Sequence, residues 1–160
     1  MIEPDDCYEI LQLAIAKEIE AYNFYLALAD RVKDRQIRKA FKDLAEEELE
    51  HKAKLELEVM KTGKTVAVEQ KPLRPDRNYI LSDDELPLDM DYKDMLLLGI
   101  EKEEASFRTY VNLSASVLDE GSREVLLAIA EEEVKHKLRF ETEYDLLLKK
   151  SGGRLLDKDG

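Results

Sequence analysis

Only two histidines occur in the chain, and both sit in near-identical phrases: AEEELEHK at Ala45–Lys52 and AEEEVKHK at Ala130–Lys137. Each phrase holds a Glu-x-x-His, Glu48 with His51 and Glu133 with His136, and the copies are offset by 85 residues (48 to 133, 51 to 136). Residues three apart lie on one helix face, so each motif aims a carboxylate oxygen and an imidazole nitrogen at the same place. The same offset relates Lys17-Glu18 to Lys102-Glu103, Tyr22 to Phe107, Tyr25 to Tyr110 and Leu28 to Leu113. The chain is therefore a duplicated two-helix unit, and each unit brings one lone glutamate plus one Glu-x-x-His. Four carboxylates and two imidazoles turned into a helical bundle form the ligand set of a carboxylate-bridged di-iron or di-manganese site. Oxygen and imidazole donors without thiolate suit Fe²⁺ or Mn²⁺.

Four helical segments must position these groups. The apolar spacing predicts helices over about Asp5 to Val32, Asp34 to Lys61, Tyr92 to Leu118 and Ser122 to Lys150. Their inward stripes read Leu11, Ile15, Glu18, Tyr22, Tyr25, Ala29; Phe41, Leu44, Glu48, His51, Leu55, Val59; Leu96, Ile100, Glu103, Phe107, Tyr110, Ser114; and Leu126, Ile129, Glu133, His136, Phe140, Leu147. Thr62-Gly63, Gly121 and Ser151-Gly152-Gly153 read as helix ends. Residues 1–150 are read as one bundle domain and 151–160 as a short flexible tail. Between the second and third segments, about 62–91, the period is lost and Pro72, Pro75 and Pro87 intervene. Val66-Ala67-Val68 reads as briefly extended. A crossover of this length fits a bundle whose second and third helices run parallel, because a helix of about 28 residues spans about 42 Å that the link must cover.

All four glutamates interrupt apolar stripes. An uncompensated buried carboxylate costs several kcal/mol, so four in one core need a counter-charge. Two divalent ions supply it, with both histidines neutral. Glu48 and Glu133 are the natural shared carboxylates, and Glu18 and Glu103 the terminal ligands of one ion each. The bland alternative is a duplicated helical hairpin with two buried His–Glu pairs, which leaves Glu18 and Glu103 unexplained. Tyr25 and Tyr110 lie seven residues beyond Glu18 and Glu103; they either hydrogen-bond a ligand carboxylate and orient it, or fill the core. No catalytic side chain beyond the ligands is expected.

Composition narrows the partners. A net charge of −12 disfavours nucleic acid and anionic membrane surfaces. The single cysteine, Cys7, rules out an internal disulfide or a four-cysteine iron site. No basic-then-apolar leader or transmembrane-length run is visible, so a cytoplasmic setting is expected.

On Glu18 with Tyr25, Glu48-x-x-His51, Glu103 with Tyr110 and Glu133-x-x-His136, over most of Ile10–Lys150, the chain resembles the rubrerythrin branch of the ferritin-like di-iron superfamily. The resemblance implies an all-α, ferritin-like four-helix bundle: two antiparallel hairpins joined by a long crossover. It also implies O₂ or peroxide chemistry at two irons, as in oxidative-stress defence. Rubrerythrins proper carry a rubredoxin domain, whose four-cysteine iron site the single Cys7 cannot build, so electrons are expected from a separate rubredoxin-type donor. They also carry an extra glutamate on the third helix. Here Glu104 or Glu101 is the candidate additional ligand, and Ser106 stands three residues after Glu103. Three functions follow: a peroxide- or O₂-reducing oxidoreductase, a ferroxidase or iron-sequestration protein with the same ligands, and a metal-free helical interaction module. A homodimer is expected in any of them.

Overall fold

Aspartates set the starts of three helices. The computed structural model of the chain describes residues 4–63 and 90–159, with side chains described over 7–63 and 90–150. Among the described residues there are four α-helices and no strand: α1 Pro4–Asp30, α2 Arg35–Lys61, α3 Tyr92–Ala115 and α4 Glu120–Asp159. Asp34 caps α2, its Oδ1 accepting from the amides of Gln36 (2.9 Å) and Ile37 (3.0 Å). Asp91 accepts from the Asp94 amide at 2.8 Å ahead of α3, and Asp119 from the Ser122 amide at 2.8 Å ahead of α4. Each cap satisfies amides that the first helical turn leaves without partners.

The duplication extends through the turns. Val32-x-Asp34-x-x-x-Arg38 recurs as Val117-x-Asp119-x-x-x-Arg123, again 85 residues on (32 to 117, 38 to 123). In both turns the arginine reaches back to the valine carbonyl, Arg38 Nη2 to Val32 O at 2.8 Å and Arg123 Nη2 to Val117 O at 2.7 Å. The pair of contacts closes each hairpin over four residues.

Three helix ends differ from the sequence expectation. α3 stops at Ala115, not Leu118, because the Val117 carbonyl is committed to Arg123 and the chain has already turned. Gly121 does not break a helix; it lies in the first turn of α4. α4 runs through Ser151-Gly152-Gly153 to Asp159 instead of ending near Lys150. Glycine ends a helix by taking a positive φ, as Gly63 does with φ 83° after the Thr62 cap of α2. Where it keeps a helical φ it costs about 1 kcal/mol relative to alanine and the helix continues. The crossover, with Val66–Val68, lies outside the described residues.

α1 packs along α2 and α3 along α4; the two hairpins meet chiefly through α2 and α4, with α1 against α3. Apolar side chains bury into two layers. One holds Phe24, Tyr25, Leu28, Phe41, Leu44, Met95, Leu96 and Phe140. The other holds Leu11, Ile15, Leu55, Val59, Tyr110, Val117, Leu126 and Ile129. Each large apolar side chain contributes about 1.5–3 kcal/mol by leaving water. The first layer is aromatic: the Tyr25 ring lies 6.0 Å from Phe140, 6.5 Å from Phe41 and 5.0 Å from Phe24, centroid to centroid. Its repeat counterpart is aliphatic, since Leu126 and Leu55 stand where the first layer has Phe41 and Phe140.

Gly99 lets α3 approach that aromatic layer. A Cβ there would fall 2.9 Å from Phe140 Cε2. Gly99→Val is therefore expected to cost about 1–3 kcal/mol by overpacking, seen as a lower urea midpoint. An unchanged midpoint would show that the ring yields without strain. No helix among the described residues is long and apolar enough to cross a membrane.

Candidate metal centre

Between the two apolar layers, the interrupted stripes bring Glu18 of α1, Glu48 and His51 of α2, Glu103 of α3, and Glu133 and His136 of α4 to one place. None is more than 3% exposed. Their donor atoms form two overlapping quartets: Glu18, Glu48, His51 and Glu133, and Glu48, Glu103, Glu133 and His136. Within each quartet, one donor atom per residue lies within 4.8 Å of all the others. Glu48 and Glu133 belong to both. His51 Nδ1 stands 3.5 Å from Glu18, 3.6 Å from Glu48 and 3.4 Å from Glu133. His136 Nδ1 stands 3.3 Å from Glu103, 3.5 Å from Glu48 and 3.9 Å from Glu133. The two rings lie 6.0 Å apart and 19° from parallel.

Both tyrosine hydroxyls donate to carboxylates of this cluster, but across the hairpins. Tyr25 donates to Glu103, and Tyr110 to Glu18 at 2.5 Å. This exchange, with His51 facing Glu133 and His136 facing Glu48, makes α1 antiparallel to α3 and α2 antiparallel to α4. It follows that α2 and α3 run the same way.

The electrostatics are those of a site short of positive charge. Burial pushes the Glu48 carboxyl well above the carboxylate range, and the charges on Glu133, Glu18 and Glu103 push it further. Burial, with Glu133 beside it, raises Glu103 to about 8. Burial also raises Glu18, against the pull of the His51 imidazole beside it. Glu133 moves the other way: burial raises it, but the close approach of His51 and Glu103 and the charges on the two imidazoles bring it to about 2. Glu48 and Glu133 are repeat equivalents with opposite shifts: burial and its neighbours' charges oppose ionisation of Glu48, whereas the two imidazoles favour it at Glu133. Burial works against charging the histidines, yet the carboxylates around them lift His51 to about 10 and His136 to about 9. Burial, then the neighbouring carboxylate charges, drive Tyr25 and Tyr110 well above 10, so both hydroxyls stay protonated donors.

One contact was not foreseen from the sequence. Glu47, half-buried on α2, places Oε1 3.5 Å from His136 Nε2 and Oε2 3.5 Å from Arg139 Nη1. It lies inside the run Glu46-Glu47-Glu48, where only the distance to another helix singles it out. Glu104, expected as a possible extra ligand, lies outside both quartets. It is half-buried and pairs with Lys137 at 3.7 Å and Arg108 at 4.0 Å. Glu101 is exposed. Ser106 is buried, outside both quartets.

The rubrerythrin family model matches residues 9–144. The chain belongs to the rubrerythrin family. A solved structure of a hypothetical protein from Pyrococcus furiosus is similar to it, at 28% identity and a TM-score of 0.66, over 89% of this chain and 90% of that one. A search of curated proteins gave no match. In this rubrerythrin-family chain the residues fit a pair of ions on one observation above all. Glu18 Oε2, both oxygens of Glu48, His51 Nδ1, Glu103 Oε2 and Glu133 Oε1 are buried with no hydrogen-bond partner. Leaving such groups unsatisfied costs about 1–3 kcal/mol each, more if charged. Metal coordination satisfies all of them together, and four carboxylates with two divalent ions and neutral imidazoles sum to zero charge.

Proposed function

We propose that this rubrerythrin-family chain is a di-iron oxidoreductase that reduces hydrogen peroxide or O₂ with electrons from a separate donor. The observation that carries the reading is the overlapping pair of quartets, with their partnerless buried donor atoms turned inward. Oxygen and imidazole donors favour iron or manganese over softer ions. An iron pair, when bound, supplies one electron per ion, the two that peroxide needs to become water (H₂O₂ + 2 e⁻ + 2 H⁺ → 2 H₂O).

The chain's own residues do the rest. Glu18 and His51 would hold one ion and Glu103 and His136 the other, with Glu48 and Glu133 common to both. Tyr110 and Tyr25 fix the orientation of Glu18 and Glu103 through their hydroxyls. The aromatic and aliphatic layers close the centre on either side and exclude bulk water. Cys7 is the single cysteine, too few for a four-cysteine iron centre within these residues, and this supports a reductant that carries its own redox centre.

Stopped-flow mixing of anaerobically Fe²⁺-loaded protein with peroxide tests this. The expected result is rapid oxidation of two irons per peroxide, read as a near-ultraviolet absorbance rise. Oxidation no faster than that of free Fe²⁺ would overturn it. Iron held per chain after aerobic loading is expected to stay at two; many per chain would instead favour storage, the reading that the acidic surface allows.

A further inference from the structure

The two halves of the centre differ in what stands behind the histidines. All three carboxylate contacts of His51 run through Nδ1. His136 has a fourth neighbour on its outer nitrogen: Glu47 Oε1, 3.5 Å from Nε2, an ion-pair approach rather than a hydrogen bond, since Nε2 has no hydrogen-bond partner. Glu47 comes from α2 and His136 from α4, so the contact crosses between the hairpins. Arg139 lies one helical turn beyond His136 and holds the other Glu47 oxygen at 3.5 Å.

The duplication does not repeat this arrangement. At the position equivalent to Glu47 stands Glu132, which turns to Lys135 at 4.0 Å. At the position equivalent to Arg139 stands Lys54, which is exposed. Among the described residues, no carboxylate reaches the outer nitrogen of His51.

The chemistry of imidazole makes the difference matter. A neutral histidine that gives its Nδ1 lone pair to an ion carries its proton on Nε2. A carboxylate that receives that proton fixes the tautomer, holds the ring in place and makes Nδ1 a better donor. The Arg139 guanidinium, 3.5 Å from the other oxygen, holds the Glu47 carboxylate aimed inward. Among the described residues, only His136 has a carboxylate within reach on that side.

We propose that Glu47, held by Arg139, is a positioning residue for His136 and makes the two metal positions unequal, the Glu103–His136 position filling first and more tightly. The inference rests on the dinuclear reading of the centre. It is tested on the full-length, metal-free protein by anaerobic titration with Co²⁺, followed by visible absorption and calorimetry.

The wild type is expected to bind two ions in two resolved steps. Glu47→Gln is expected to weaken the tighter step about 10–100-fold, so that the steps merge, and to change the absorption spectrum of the first-bound ion. Arg139→Gln is expected to reproduce part of that loss, and Glu132→Gln none of it. The urea midpoint of the metal-free Glu47→Gln protein is expected to match the wild type, which separates ligand positioning from general stability. Two equal steps in the wild type, equal weakening of both steps in Glu47→Gln, or the same effect from Glu132→Gln would each overturn the proposal. No Co²⁺ bound to the wild type would instead overturn the dinuclear reading itself.

Discussion

Glu48→Gln is expected to empty both metal positions at once and, in the same molecule, to make the metal-free protein more stable. Glu48 belongs to both quartets, so losing its charge removes a shared ligand rather than one of a set. Each ion should bind at least ~100-fold more weakly, about 2.8 kcal/mol. Bound metal after anaerobic loading and desalting should drop from two per chain to less than one. The metal-free effect has the opposite sign. Glu48 is fully buried, neither of its oxygens has a partner, and burial together with three neighbouring carboxylates opposes its charge. The neutral amide removes that opposition and should add about 1–3 kcal/mol in urea at pH 8 with a chelator present. Glu104→Gln is the control: Glu104 pairs with Lys137 and Arg108 outside the quartets, so metal content should not move. Two ions retained by Glu48→Gln would sink the assignment of shared ligands.

Raising the pH of the metal-free protein from about 6.5 to about 10 is expected to weaken it, and bound metal to abolish the trend. His51 rises from 6.5 to about 10 and His136 to about 9. A group whose value is raised by folding keeps its proton after the unfolded chain has released it. Its stabilising contribution is full below 6.5 and disappears as the pH passes the folded value. Glu103, raised from 4.5 to about 8, acts in the same direction over that lower window. Glu133 opposes them only in acid: lowered to about 2, it contributes above 4.5 and that contribution is lost as the pH falls towards 2. Each net proton retained by the folded state is worth about 1.4 kcal/mol per pH unit. Metal ions displace these protons, so loading near neutral pH should acidify a weakly buffered solution and affinity should fall as the pH falls. Urea midpoints from pH 6.5 to 9, with chelator and with Mn²⁺, should diverge. Parallel curves would show that the protons are not held by the metal-facing groups.

The helices and the six inward groups were legible for a simple reason. Helical period leaves apolar residues on one face, and charged residues within that stripe need an explanation. Glu18, Glu48, Glu103 and Glu133 stand there, and the rarity of histidine made the 85-residue repeat visible. The tyrosine exchange was not legible. Seven residues along one helix is about 10 Å, beyond easy reach of a tyrosine hydroxyl, so only the antiparallel pairing of α1 with α3 shows that Tyr25 serves Glu103 and Tyr110 serves Glu18. Glu47 was hidden in a run of three glutamates whose roles differ only by what another helix brings near. The end of α4 was misread because glycine stops a helix through its backbone angle, which composition does not reveal. The Val-x-Asp-x-x-x-Arg turn stands in both copies, but its meaning lies in a carbonyl–guanidinium contact that apolar spacing does not reveal.

Each hairpin, taken alone, offers two carboxylates and one imidazole along an otherwise greasy face. Neither can finish an ion's coordination without its twin. Within a hairpin the helices zip together along their length, whereas the halves join chiefly where α2 meets α4, the seam that carries both Glu-x-x-His motifs. Bound ions would therefore act as rivets through that seam. Stripping them should leave two sound halves pressing like charges against each other, so that strain from metal loss is felt first as a parting between the halves rather than as fraying within either one.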